Sequence, residues 1–260
     1  MSAGVTPMND SKKDYSILIV EDDPIIARVL ETILKDSGFS ADEPVNSGEK
    51  AISRVAARKP GIVLMDIDLL GHISGIETAR ILFHIFNIPV IFVTGHDEEE
   101  VLIHAKEADP FGFLVKPINQ NILNTTIQVS INLHEKLTGT TEGKTGGLTQ
   151  IQCEELTGSL KPVVLLNDRN RIIWMNDAAE FLLEKSYSDL LLSDAPSLIM
   201  MEDPTSGESV DIFSLDPVFE RPLKLKQVQH SKQVVPKIFM INDSFGDISG
   251  YFLELNPASE

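Results

Sequence analysis

The sequence predicts two domains: a doubly wound α/β domain with a five-stranded parallel sheet, followed by an α+β domain with an antiparallel sheet. In the first half, short uninterrupted apolar runs alternate with segments whose apolar residues recur at helical spacing. Strands that are apolar throughout are typical of a parallel sheet covered by helices on both faces. After residue 160 strand-like runs follow one another directly around one group of helices, which favours antiparallel pairing.

Ten elements are predicted in the first half. The strands are expected at 16–20, 39–45, 61–65, 88–94 and 111–115, and the helices at 24–38, 47–59, 75–86, 97–108 and 117–137. Pro24 in a first helical turn and Ser47 at an N-cap position support two of the helix starts.

The next segment, residues 137–150, is rich in Gly and Thr, and this composition predicts a flexible linker. A frayed helix that continues into residues 151–160 is the alternative, although the glycine pair at 146–147 disfavours an unbroken helix. Beyond it, strand-like runs at 162–168 and 171–177 flank a hairpin turn at 168–170. A short helix (178–185), a loose stretch (186–217) and three further strand-like runs (221–229, 234–243 and 250–256) complete the chain.

The composition excludes several classes of protein. The net charge of −17 is spread over both halves without a basic stripe, so direct binding of nucleic acid is not expected. The single cysteine, Cys153, excludes an internal disulfide and fits a reducing cytoplasm. The first residues are polar and no apolar run approaches about 20 residues, so neither a signal peptide nor a membrane span is expected.

Polar residues stand at the ends of four predicted strands: Glu21, Asp22 and Asp23 after the first, Asp66 after the third, Thr94 at the fourth and Lys116 after the fifth. Parallel strands end at one edge of the sheet, so these side chains should lie together. Clustered carboxylates repel one another unless a cation such as Mg²⁺ or Mn²⁺ lies among them. A hydroxyl and an ammonium group beside that cation would suit a phosphoryl group. The alternative is that these residues are only solvated ends of strands, as most single surface carboxylates are. The occurrence of all four polar sites at the ends of the correct strands, in order, disfavours it.

The segments ILIVEDD (17–23), VLMDIDL (63–69), VIFVTGH (90–96) and FLVKP (113–117) resemble response-regulator receiver domains of two-component signalling, which have a flavodoxin-like sheet. The resemblance covers residues 14–136. It implies that Asp66 accepts the phosphoryl group. It implies that Glu21, Asp22, Asp66 and the backbone carbonyl of Asp68 hold Mg²⁺, and that Thr94 and Lys116 contact the phosphoryl oxygens.

The resemblance also assigns a switch and a site that tunes loss of the phosphoryl group. Thr94 and Phe113 map to the switch pair, with Phe111 as a competing aromatic residue and a plain core residue as the alternative for Phe113. Asp68 and His96 occupy the tuning positions, and the direction of their effect stays open. The chain departs from the family at 69–72, where Leu-Leu-Gly-His stands instead of an early proline.

Residues 160–257 resemble a PAS domain, through VVLLNDRNRIIWMNDAAEFLL (163–183) and DISGYFLELNP (247–257), and residues 137–159 then form the linker. Asn176 followed by two alanines and an apolar helix carries much of this resemblance. Neither flavin nor haem is expected, because the only cysteine lies in the linker and His230 lies in a strand region. Trp174 and Met175 are expected to pack in the core.

These observations predict a response regulator that is phosphorylated at Asp66 and is not an enzyme beyond phosphorylation and dephosphorylation of that residue. The expected partner is a histidine kinase or phosphotransfer protein, and a homodimer is a further expectation. No DNA-binding output is expected. Two alternatives stay open: a PAS-based sensor whose ligand gates receiver phosphorylation, and a metal-dependent phosphatase that acts on an external substrate.

Overall fold

The first half forms a five-stranded parallel sheet in the order β2-β1-β3-β4-β5. The computed structural model describes residues 15–95, 110–139, 147–214, 221–226, 232–243 and 246–258. The strands are β1 (Ser16–Val20), β2 (Ser40–Ala41), β3 (Ile62–Asp66), β4 (Val90–Thr94) and β5 (Gly112–Val115). The helices are α1 (Pro24–Asp36), α2 (Gly48–Ala57), α3 (Gly75–Phe86) and α4 (Gln120–Gly139). The predicted parallel sheet is therefore confirmed, while the helix expected at 97–108 lies outside the described residues.

Helices cover both faces of this sheet because alternate strand residues point to opposite sides. On one side Leu18, Val63 and Phe92 pack with α2 and α3, and on the other Ile17, Leu64 and Val93 pack with α1 and α4. All five residues of β1, β3 and β4 are buried, as the uninterrupted apolar runs predict.

Short polar side chains fix where the helices begin. Asp23 Oδ1 accepts hydrogen bonds from the backbone N–H groups of Ile25 and Ile26, at 2.7 and 3.3 Å, and so caps α1. Ser47 caps α2 as predicted, through an N–H of Lys50 at 3.4 Å. These caps place the N-termini of α1 and α2 beside the carboxyl edge of the sheet.

The second half forms a seven-stranded antiparallel sheet in the order β7-β6-β12-β11-β10-β8-β9. Its elements are β6 (Val163–Asn167), β7 (Ile172–Met175), α6 (Asp177–Leu183), α7 (Tyr187–Leu190), α8 (Ala195–Leu198), β8 (Met201–Glu202), β9 (Ser209–Val210), β10 (Leu223–Leu225), β11 (Gln233–Asn242) and β12 (Ile248–Pro257). The predicted α+β architecture is confirmed. The hairpin of β8 and β9 is an addition, since both strands have only two residues and lie in the stretch expected to be loose.

The flexible linker expected at 137–150 is wrong for its described residues, because 137–139 end α4 and 147–150 lead into a further helix. This helix, α5 (Gln150–Gly158), begins with a capping box between Thr149 and Gln152. Just before it, the N–H of Leu148 donates to the carbonyl of Ile85, and the N–H of Gly147 donates to the carbonyl of Asn242, both at 2.7 Å. Residues 150–158 are thus helical, as the alternative expected for 151–160, but the residues through which that helix would continue from α4 lie outside the described ranges. Through Leu148 and Gly147 the segment is hydrogen-bonded to both halves.

The two halves share one hydrophobic core. Helix α2 contacts α5 and β7, while α3 contacts β11 and β12. One buried cluster contains Val55 and Phe86 of the first half together with Leu148, Cys153 and Trp174. Trp174 therefore packs in the interface between the halves, whereas Met175 belongs to the separate core of the second half.

Candidate functional site

Three carboxylates meet at the carboxyl edge of the parallel sheet. Glu21 and Asp22 follow β1, Asp66 is the last residue of β3, and these two strands pair directly. One oxygen from each side chain lies within 4.8 Å of the others. Glu21 and Asp66 are only 3% and 5% exposed, so their mutual repulsion is poorly screened by water. The structure thus brings together three of the predicted site residues.

Lys116 partly balances these charges. It follows β5, and its ammonium group lies 2.7 Å from Asp66 Oδ2 and 2.8 Å from Glu21 Oε2. Burial by itself lowers the pKa of Lys116, but the hydrogen bonds and charges of Asp66 and Glu21 outweigh it and raise the pKa above the ordinary value. Lys116 is therefore a fixed cation between the two buried acids.

The single ammonium group of Lys116 does not balance the negative charge of the three carboxylates. Burial, together with the neighbouring Asp66, raises the pKa of Glu21 from 4.5 to about 7, and the Lys116 ammonium group offsets this increase only in part. Glu21 Oε2 is paired with the Lys116 ammonium group, and three carboxylates stand beside this one ammonium group. An all-oxygen donor set with excess negative charge fits a hard divalent cation such as Mg²⁺.

Asp23, by contrast, does not join the cluster, because its carboxylate caps α1.

Asp66 is held in place from both sides. Its Oδ1 accepts a hydrogen bond from the N–H of Asp68 at 3.2 Å, and its Oδ2 accepts one from Lys116. The N-terminus of α3 also packs directly on its backbone: a Cβ atom on Gly75 would lie 1.9 Å from the carbonyl oxygen of Asp66. Sequence reasoning missed Gly75, because this close approach follows from the packing of α3 and not from a motif.

Thr94 lies at the same edge. It is fully buried as the last residue of β4, and its carbonyl accepts a hydrogen bond of 2.8 Å from the N–H of Lys116. Strand β4 pairs with β3 so that Val93 stands opposite Asp66. Thr94 and Lys116 therefore adjoin the carboxylate cluster, as the strand-end argument predicts.

A family of known proteins matches the part of the chain that contains this cluster. Residues 17–128 match the family described as the response regulator receiver domain. These residues form a receiver domain.

Individual relatives match the receiver domain and differ in how much of them is covered. The chain is 32% identical over 111 residues to the nitrogen assimilation regulatory protein NtrX of Azorhizobium caulinodans. The aligned region covers 42% of this chain and 24% of NtrX. It is 24% identical over 147 residues to the transcriptional regulatory protein PdtaR of Mycobacterium tuberculosis, 56% of this chain and 71% of PdtaR. Among solved structures, the signal receiver domain of a modulated diguanylate cyclase from Desulfovibrio desulfuricans is 34% identical over 47% of this chain and 97% of that one, with a TM-score of 0.45.

The proposed switch residues of the receiver domain occupy one face of the sheet. Phe113 of β5 stands opposite Phe92 of β4, with ring centroids 5.7 Å apart, and it is half-buried against the core shared with the second half. Phe111 instead contacts the rings of Phe83 and His134. By position Phe113 is thus the better partner for Thr94, while its role stays a prediction.

The loop that follows Asp66 has an anchor that sequence reasoning did not find. Glu49, in the first turn of α2, accepts a hydrogen bond from the N–H of His72 at 2.6 Å. Burial alone raises the pKa of Glu49, but hydrogen bonds from Ser47 and from backbone N–H groups, including those of His72 and Ile73, lower it overall. Glu49 is therefore ionised, and its hydrogen bond to the N–H of His72 holds the receiver loop between β3 and α3.

The two predicted tuning residues differ in what the structure shows. Asp68 is exposed, and its backbone N–H contacts Asp66. His96 lies outside the described residues. Among those that are described, no helix combines the length and the apolar character needed to cross a bilayer.

Proposed function

We propose that the chain is a response regulator that accepts a phosphoryl group on Asp66 from a phosphohistidine of a histidine kinase or phosphotransfer protein. The observation that carries this proposal is the cluster of Glu21, Asp22 and Asp66 bridged by Lys116 at the end of the parallel sheet. Receiver domains generally interact with such donors, and the cluster has the groups that phosphoryl transfer needs.

In the proposed reaction an oxygen of the Asp66 carboxylate forms a bond to phosphorus while the bond from phosphorus to the donor nitrogen breaks. Glu21, Asp22, Asp66 and the carbonyl of Asp68 would hold Mg²⁺, which supplies charge neutralisation at the transferred oxygens when it is bound. Lys116 already touches Asp66, so its ammonium group can pass to a phosphoryl oxygen with little movement. Thr94 would contact a second phosphoryl oxygen through its hydroxyl.

The test is uptake of one phosphoryl group from acetyl phosphate with Mg²⁺, followed by intact-protein mass spectrometry. Asp66→Asn should abolish the uptake, since an amide is not a nucleophile here. Asp23→Asn is the matched control, because asparagine also caps helices and Asp23 lies outside the cluster. Full uptake by Asp66→Asn would contradict the assignment of Asp66 as the phosphoacceptor. Slow turnover of the donor, without accumulation of a phosphorylated chain, would point to the phosphatase alternative.

For the second half we propose a PAS-like domain that serves association and not chemistry. Support comes from the order of two strands, three short helices and then the remaining strands, with the first strand, β6, paired directly with the last, β12. Asn176, the residue that carries much of the resemblance, is buried and caps α6, and its side chain also bonds the N–H of Val163 at 3.0 Å.

The proposed output is self-association or the binding of another protein, without direct contact to DNA. A net charge of −17 supports this, because a polyanion would be repelled. We also propose that the chain acts in the cytoplasm, on the ground of its single cysteine.

A further inference from the structure

A cleft of about 350 Å³ lies where α3 of the receiver domain meets the second half. We propose that this cleft binds a small zwitterion, an α-amino acid with an aliphatic side chain. Its volume lies within the range of small-molecule sites in proteins. The inference is independent of the phosphoacceptor proposal, because Asp66 is not among the described residues that line the cleft.

Three elements from different parts of the chain form the walls of the cleft. They are one face of α3, the hairpin turn between β6 and β7, and the end of β11 with the start of β12. Strand β12 packs closely on α3, since a Cβ atom on Gly250 would lie 2.6 Å from Cδ1 of Ile85. The cleft is therefore a site between the halves and not a pocket within the core of the second half.

The hairpin turn contributes two arginines whose backbone is fixed. Oδ1 of Asn167 accepts hydrogen bonds from the backbone N–H groups of Arg169 and Arg171, at 2.9 and 3.0 Å. A third arginine, Arg80, lines the cleft from α3. Three of the seven arginines in the chain thus line one cleft. Because a guanidinium group can bind a carboxylate through two parallel hydrogen bonds, this lining suits a carboxylate ligand.

Three carboxylates line the same cleft, from Glu77 on α3, Asp168 in the turn and Asp243 after β11. Oδ1 of Asp243 accepts the N–H of Asp247 at 3.0 Å, and its Oδ2 lies 3.8 Å from Nδ1 of His84 across the junction. A purely anionic ligand would be repelled by these carboxylates, and a purely cationic one by the arginines. A ligand with one carboxylate and one ammonium group is complementary to both sets of charges.

Isoleucine side chains supply the apolar part of the cleft. Ile81 and Ile85 are buried, whereas Ile248 is 47% exposed and offers apolar surface that a ligand can cover. Burial of an aliphatic group against these side chains is favourable. Leucine, isoleucine and valine combine such a group with one charge of each sign, and they are therefore the ligands that the lining fits.

The experiment titrates leucine, isoleucine and valine into the full chain by calorimetry and follows thermal unfolding. We expect saturable binding of one molecule per chain. At a ligand concentration about 100-fold above the Kd, Tm should rise by about 5 °C or more. The acid and the amine that lack one of the two charges, isocaproate and isoamylamine for leucine, should bind about tenfold more weakly or less. Failure of all three amino acids to bind would overturn the proposal, as would an analogue that binds as tightly as its amino acid.

Two arginine variants from opposite walls test the location of the site. Arg80→Ala and Arg169→Ala should each weaken binding of the amino acid about tenfold, because each removes a charged hydrogen-bond donor. Both side chains are exposed, so both variants should fold. Arg58→Ala is the matched control, since Arg58 is an exposed arginine at the end of α2 outside the cleft. Wild-type affinity in both cleft variants, or an equal loss in Arg58→Ala, would overturn the assignment of the cleft.

Discussion

Lys116 is the residue on which the charge balance of the site depends. Its ammonium group is the cation that contacts both Glu21 and Asp66. Lys116 carries one positive charge and the cluster has three carboxylates, so the negative charge of the cluster is not balanced without a metal ion. Burial and the neighbouring Asp66 therefore raise the pKa of Glu21 despite the contact with Lys116.

Glu21 should give the metal-free protein a measurable pH dependence. Its pKa is about 7 in the folded chain against an ordinary 4.5, so between these values the folded chain binds a proton that the unfolded chain has lost. The contribution of Glu21 to the free energy of unfolding should therefore fall as pH rises from about 4.5 to about 7. Denaturant unfolding in EDTA checks this against Glu21→Gln, which should lack that part of the fall. Identical pH profiles of the two proteins would contradict it.

Gly75 should tolerate no side chain. A Cβ atom there would overlap the carbonyl oxygen of Asp66, so Gly75→Ala must displace α3 or the end of β3. We expect a loss of about 1–3 kcal/mol in the free energy of unfolding together with reduced phosphoryl uptake. Gly158→Ala is the control, because nothing lies within 4 Å of the position that its new methyl group would take. Wild-type uptake by Gly75→Ala would show that the contact does not position Asp66.

The site residues that the sequence predicts and those that it does not predict are positioned by different parts of the structure. Asp66, Thr94 and Lys116 stand at strand ends, and the order of the strands is enough to bring them to one edge. Glu49 and Gly75 reach the site only through the packing of α2 and α3 on the loop. No spacing in a single sequence carries that information.

At the scale of elements, α5 is the connection that makes the two halves one unit. Its N-terminus follows Leu148, whose carbonyl accepts a hydrogen bond of 2.6 Å from the Lys59 ammonium group. The Gly and Thr content of the preceding residues suggested a flexible linker, yet Thr149 and Gln152 stand at the spacing of a capping box. The start of α5 could therefore be predicted from the sequence, whereas its packing against α2 could not.

Leu148 should contribute strongly to stability for a residue in an apparent linker. It is 5% exposed, while Leu160, just beyond α5, is 96% exposed. Leu148→Ala should lower the free energy of unfolding by about 2–5 kcal/mol, and Leu160→Ala should change it by less than about 0.5 kcal/mol. Calorimetry of the two variants provides the comparison. Similar small losses in both would mean that the segment does not hold the halves together in solution.

At the scale of the molecule, the acceptor site and the second half lie on two sides of one packed loop. The antiparallel sheet was predictable from the succession of strand-like runs. Its contact with α2 and α3 was not, because the apolar residues involved, such as Val55 and Trp174, also fit the core of either half alone.

Phosphorylation should change the association of the chain, which is the output proposed for it. We expect the mass measured by light scattering to rise when Mg²⁺ and beryllofluoride, which mimics the phosphoryl group, are added, since loading of Asp66 then favours the self-associated form. Asp66→Asn should keep its mass under the same conditions. An unchanged mass in protein that binds beryllofluoride would indicate that the output is a different protein.

The most direct measurement is the position of the phosphoryl group. The chain is treated with acetyl phosphate and Mg²⁺, reduced with borohydride to convert an aspartyl phosphate into homoserine, and mapped by peptide mass spectrometry. The account predicts homoserine at position 66, dependent on both the donor and Mg²⁺. Modification at another residue, or none when both are present, would contradict it.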